Sequence, residues 1–238
     1  MRARLRFAKH GKVRFTSHRD VARMWERAFR RAGLPLAYTG GFSPRPRVSF
    51  GLALPTGYES DAEYLDVDLA APVDTEALPE LLTPLLPEGV EATAAVVADE
   101  RAPSLQQDVT TCTWLLELQG VDPAALPQRI AEVLALPELI ATRTRKGAPV
   151  TDDLRPAIVA LAPAGHAPEG GRVLVEAELG TQPRALRPSE LVEAAWPGVE
   201  LVRATRTHQW IERDGARWEP IELPHGATAA PHAGRRAS

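Results

Sequence analysis

Residues 2–35 read RARLRFAKHGKVRFTSHRDVARMWERAFRRAGLP, and this stretch decides the fold. Arg2, Arg4 and Arg6 alternate with Ala3, Leu5 and Phe7, the period of a half-buried strand. His10-Gly11 is a turn signal. Ser17 fits a helix N-cap, with Asp20 in the capping-box position. Val21, Met24, Trp25, Ala28, Phe29 and Ala32 recur at three- and four-residue steps and define one apolar helix face. Arg19, Arg23, Arg27 and Arg30 form a stripe on the opposite side. Gly33 stands where a C′ glycine belongs, and Pro35 forbids continuation.

Downstream, Val48, Phe50 and Leu52 alternate, so residues 47–54 read as a second strand. Tyr64, Asp66 and Asp68 alternate with Leu65, Val67 and Leu69 in a third. Residues 75–86 are apolar-periodic but carry Pro79 and Pro84, which predicts a short or broken helix. Residues 90–97 read as a fourth strand. The order is βαββαβ. From Val109 a similar order recurs. It has a helix over 124–136 with Asp122 as N-cap and Pro123 at N1, strands near 139–145, 157–162 and 172–179, a helix over 188–196 and a strand over 200–210. The expectation is an α+β protein of two tandem ferredoxin-like (βαββαβ) units, an internal structural repeat. A basic N-terminal unit spans 1–102, an acidic C-terminal unit 103–222, and a disordered tail 223–238.

The chain has 238 residues, 44% hydrophobic, which supports a real core. A single cysteine, Cys112, excludes an internal disulfide framework and any CxxC-type metal site. No apolar leader or long apolar run occurs, so a cytoplasmic protein is expected. The net charge of −3 hides an asymmetry: residues 1–50 hold 13 Lys and Arg against 2 Asp and Glu, and the rest 15 against 29. A basic segment of this kind is either the footprint of an anionic partner or the internal counter-charge of an acidic remainder.

Position separates these possibilities. The loop Gly40 to Arg47 joins two glycines, which permit close backbone approach, to prolines that stiffen the chain around Arg45 and Arg47. Two guanidinium groups on a rigid loop suit phosphate, and backbone N–H groups at Ser17 could add donors. On the helix, Arg19, Arg23, Arg27 and Arg30 face only Glu26 at an i,i+4 spacing to Arg30. Their mutual repulsion would be relieved by an external polyanion such as RNA. The Arg2/Arg4/Arg6 ladder reads differently. An antiparallel third strand sets Tyr64, Asp66 and Asp68 on the same side, so internal pairing is expected. His18 is the best acid–base candidate, with Tyr38 or Lys12 able to assist. Asp152, Asp153 and Arg155 read as a structural turn rather than a metal site, His208, His225 and His232 are too scattered for ligands, and Trp196, Trp210 and Trp218 read as packing. No metal or cofactor is expected.

Arg14 to Asp20, Glu26 to Pro35, Gly41-Phe42-Ser43-Pro44-Arg45-Pro46-Arg47 and Ser49 to Pro55 together resemble the radical-SAM-linked family of bacterial proteins. This is a domain of unknown function that occurs alone or fused behind a radical SAM enzyme. Asp153-Leu154-Arg155-Pro156 echoes a further pattern of that family, whereas Arg19 stands where one pattern has a hydrophobic residue. The resemblance implies a separate radical SAM partner, because the cluster needs three cysteines and this chain has one. The element order also looks like the RNA-processing proteins of CRISPR systems, an analogy of fold alone. Three functions follow as expectations. The first is binding of structured RNA (tRNA or rRNA) or another phosphate-rich partner. The second is metal-independent RNA processing by His18, and the third a protein–protein adaptor without nucleic acid.

Overall fold

The computed structural model describes residues 1–145, 147–168, 171–213 and 215–222. The expected disordered tail lies outside the described residues. The protein is α+β, with antiparallel pairing throughout the strand pairs described here. By contacts the chain divides into two units. One is Met1–Val109 together with the chain from Gln209 onward; the other is Thr110–His208.

In the first unit, β1 (Arg2–Lys9) is flanked by β3 (Glu59–Asp68) and β4 (Val90–Ala98), and β2 (Val48–Phe50) pairs with the other edge of β3. The alternation seen in the sequence fixes which face is covered. Ala3, Leu5 and Phe7 are buried under α1 (His18–Arg31), which contributes Val21, Trp25, Ala28 and Phe29. Trp25 is the centre of this layer, its ring 5.0 Å from Phe7 and 5.4 Å from Phe29. Ser17 caps α1 by accepting from the Asp20 N–H at 3.2 Å. The Asp20 carboxylate returns to the Ser17 hydroxyl at 2.7 Å, not to its backbone as in a full capping box. α2 (Leu78–Leu82) is one turn and passes into a 3₁₀ turn, Thr83–Leu85, which is the interruption Pro79 and Pro84 impose. α3 (Leu105–Asp108) packs Leu105 against Ala62 and Tyr64.

In the second unit, β5 (Thr111–Gln119) pairs with β9 (Val173–Gly180), and β9 with β8 (Ile158–His166). Across β5 lies β10 (Glu200–Arg213), whose residues 200–208 belong to this unit. α4 (Leu126–Ala135) and α5 (Pro188–Ala195) are its helices. β6 (Ile140–Arg145) and β7 (Ala148–Asp153) form a hairpin of their own.

Three expectations differ from these findings. α4 starts at Leu126, because Asp122 accepts from the Ala124 N–H in a preceding turn instead of capping the helix. β7 was not foreseen. Its Pro149 and exposed alternate residues give no burial pattern to read. The contact division also falls elsewhere than the expected boundaries at 102 and 222. The chain re-enters the first unit inside β10, where no breaker residue marks the change. There the buried Gln209 amide donates to the Ala62 carbonyl at 2.6 Å, and Arg4 donates to the Pro220 carbonyl at 3.2 Å. β11 (Ala216–Trp218) then pairs back on β10. Among the described residues, no helix is long and apolar enough to cross a membrane.

Candidate nucleic-acid interface

The basic N-terminal segment separates into two groups of arginines. The first group is consumed internally. β1 and β3 pair with Arg2 opposite Asp68, Arg4 opposite Asp66 and Arg6 opposite Tyr64, which puts the two ladders on one side of the sheet as their alternation implies. Arg2 meets Asp68 at 2.8 Å. Arg4 grips Asp66 with two bonds, 2.7 and 2.9 Å, and both residues are buried. Arg6 turns to Glu219 at 3.7 Å, leaving the Tyr64 hydroxyl deep in the protein, where burial pushes its pKa up. Arg14 pairs with Glu59 at 3.0 Å. Arg47, expected at the phosphate site, reaches Asp68 at 3.1 Å while remaining half exposed.

The second group faces solvent. Arg19, Arg23, Arg27 and Arg30 are all exposed on α1, as their spacing requires. They span ~17 Å of helix at 1.5 Å per residue. Arg23 meets Asp20 at 3.4 Å and Arg30 meets Glu26 at 3.3 Å, both exposed contacts within one helix. Such pairs contribute a few tenths of a kcal/mol and open readily to a competing anion. Among the described residues, Arg19, Arg27 and Arg45 have no carboxylate partner.

The loop leading into β2 is a narrow hairpin. The Thr39 N–H donates to the Arg45 carbonyl and the Arg47 N–H to the Ala37 carbonyl, each at 2.9 Å. The Arg45 N–H adds a bond to the Thr39 hydroxyl at 3.1 Å. Gly40 and Gly41 sit at the exposed tip, and Gly41 has φ +104°, a conformation that excludes most side chains. This loop enters β2 at Val48, whereas His18 packs edge-on against Phe50 at the other end, with ring centroids 5.2 Å apart. Five residues of extended chain, about 16 Å, separate Arg45 from Phe50. Ser17 and the glycine loop are therefore two features at opposite ends of β2.

Beneath His18 the structure gathers residues whose chemistry sequence reasoning missed. Lys9, Glu63, Tyr64, Phe50 and Leu54 line a small cleft with it. Lys9 and Glu63 are buried polar residues at the end of the sheet face that carries the apolar core. The Lys9 amine donates to the carbonyls of Thr16 and Arg14 at 3.3 and 3.4 Å. Burial pulls its pKa below the ordinary 10.5, an effect the Glu63 carboxylate opposes. Lys9 closes the β1 alternation, and that parity, carried one step past Phe7, was the available signal.

This shift has a measurable consequence. Between the lowered folded value and 10.5, unfolded chains hold the Lys9 proton more tightly than folded ones. The penalty on the folded state is fully present below that window and is relieved as pH rises through it. Urea unfolding of wild type and Lys9→Met should show wild type gaining relative to the variant between pH 7 and 10.5. A difference flat in pH would show that Lys9 titrates as it does in water.

In the second unit, Asp153 accepts from the N–H groups of Leu139 and Arg155, at 2.8 and 3.0 Å. Arg155 donates to the carbonyls of Leu134 and Ile158 at 2.7 and 2.9 Å. The Asp-Leu-Arg-Pro motif is thus a structural clasp. Arg143 and Arg184 hold the Asp152 carboxyl below the usual carboxylate range. Trp196 is buried and Trp210 lies under the Arg217 guanidinium at 3.9 Å, so both are packing residues. Among the described residues, no group of three His, Cys, Asp or Glu could hold a metal ion.

Fold and surface together define an α+β protein whose first helix and following loop expose a group of arginines. The family model described as "Uncharacterized protein conserved in bacteria (DUF2344)" matches residues 2–188, and the chain belongs to that family. None of the curated proteins compared with it matches. Among solved structures, "Crystal Structure of a Cbf5-Nop10-Gar1 Complex" is similar at a TM-score of 0.49 and 10% identity, over 87% of this chain and 48% of that one. The chain thus spans about half the length of that structure.

Proposed function

We propose that the chain binds structured RNA, tRNA or rRNA, or another phosphate-rich partner, through Arg19, Arg23, Arg27 and Arg30 of α1 and through Arg45 and Arg47 of the loop shaped by Gly40 and Gly41. One observation carries the reading: Arg19, Arg27 and Arg45 stand exposed without acidic partners among the described residues, in a segment where Arg2, Arg4 and Arg14 are paired internally. Residues 27–58 contain no Asp or Glu at all. Both units read as ferredoxin-like, which the strand orders β4-β1-β3-β2 and β10-β5-β9-β8 support. The radical-SAM resemblance adds that the chain acts with a separate cluster-bearing enzyme, since Cys112 alone cannot ligate a cluster.

Affinity for tRNA should fall linearly with the logarithm of salt concentration, and Arg19→Glu, Arg27→Glu and Arg45→Glu should each reduce the slope by about one. Fluorescence anisotropy over a salt series measures both. Binding indifferent to salt, or unaltered in all three variants, would overturn the proposal.

A second reading, metal-independent RNA processing, is favoured by the convergence of Lys9, Glu63 and His18 on one cleft. His18 would take a proton from a 2′-hydroxyl, and an amine of lowered pKa beside it could donate to the leaving oxygen. RNA cleaved equally by His18→Ala and wild type would remove this role.

A further inference from the structure

Phe42 is the most exposed large apolar side chain among the described residues, at 110% relative exposure. Its ring touches nothing, yet it stands on a stiff support. The Thr39–Arg45 and Ala37–Arg47 backbone bonds close the hairpin beneath it, Tyr38 bridges to Pro46, and Pro44 fixes the backbone two residues on. Tyr38, also on this hairpin, is half exposed. Arg45 follows three residues after Phe42 and has no carboxylate partner.

A bare aromatic ring on a rigid basic loop has apolar surface to bury and a π-face to stack. A loop that carries arginine and no carboxylate of its own suits an occupant that brings a flat ring together with negative charge, and an unpaired nucleotide has both. In a duplex the bases already stack on each other, so the ring would have to separate them at a cost of a few kcal/mol. We infer that the loop 39–47 is a base-stacking finger: Phe42 stacks on an unpaired nucleobase while Arg45 holds a neighbouring phosphate. This rests on the RNA-binding proposal and names its substrate class, RNA with an accessible single-stranded base.

The two interactions separate experimentally, because stacking is insensitive to salt and phosphate contact is not. The probes are a short single-stranded RNA carrying 2-aminopurine and a blunt-ended duplex of the same sequence. Phe42→Ala should weaken single-strand binding roughly tenfold and remove the 2-aminopurine quenching, with the salt slope and duplex affinity unchanged. Phe42→Trp should restore both. Arg45→Glu should lower the salt slope. Because Phe42 packs on nothing, the thermal melting of Phe42→Ala should match wild type. Full single-strand binding by Phe42→Ala would overturn the finger and leave the RNA proposal standing. Wild-type protein that binds neither of these RNAs nor tRNA would overturn both. Phe42-dependent binding to phosphatidylcholine–phosphatidylglycerol vesicles, with no Phe42 effect on RNA, would reassign the loop to a membrane surface and also overturn it.

Discussion

Asp66→Ala is expected to lower the unfolding free energy by about 3–5 kcal/mol. Asp66 is 4% exposed and Arg4 is 2% exposed, and two bonds join them. Removing the carboxylate leaves a guanidinium buried in the first unit with only the Pro220 carbonyl, at 3.2 Å, still accepting from it. The cost comes from that stranded charge more than from the lost attraction, because a buried ion pair gains little over a well-packed apolar pair. Arg4→Met/Asp66→Leu should therefore recover most of the loss. Urea unfolding of the two singles and the double closes the cycle. A single-variant loss under about 1 kcal/mol would mean water reaches the guanidinium. Arg19→Glu, on the exposed face of α1, should by contrast stay within about 0.5 kcal/mol of wild type. Stability and RNA affinity should thus map to different arginines of the same fifty residues.

That separation was partly legible in the sequence. The ladders Arg2/Arg4/Arg6 and Tyr64/Asp66/Asp68 share a period of two, and period fixes facing, so their opposition follows once the strands are antiparallel neighbours. The partner of Arg6 did not follow. Glu219 lies beyond β10, in chain that returns to the first unit without any breaker residue to announce it. The α1 stripe was legible because helical spacing alone decides which side chains share a face. The separation of Ser17 from the glycine loop was not, since all of α1 lies between them in sequence and only the packing of His18 on Phe50 sets Ser17 at the end of β2 away from that loop. The Lys9–Glu63–His18 cleft was hidden for another reason. A lysine at the end of an apolar alternation reads as a strand terminus in water, and its burial comes from the segment 11–17 folding over it.

That segment is held by Gly89, and Gly89→Ala is expected to destabilise the protein by about 2–4 kcal/mol. Gly89 has φ +86°, where an L residue is strained. A Cβ there would lie 2.4 Å from the His10 carbonyl oxygen and 3.1 Å from a Val13 methyl. The first contact is with backbone, so the chain itself must move. The same place is tied the other way by the His10 N–H, which donates to the Gly89 carbonyl at 2.8 Å. Gly120 is the matched control, with φ +90° and nothing within 4 Å of its Cβ position. Gly120→Ala should show the backbone strain alone, roughly 1–2 kcal/mol. The excess for Gly89→Ala measures the close approach, and equal losses in the two variants would show that no close approach exists. The displacement should also reach the site. Residues 10–16 carry the carbonyls of Arg14 and Thr16 that hold the Lys9 amine, and they lead into the Ser17 cap that starts α1. Amide hydrogen exchange in Gly89→Ala should therefore rise first over residues 10–20, with the Ala37–Arg47 hairpin unaffected.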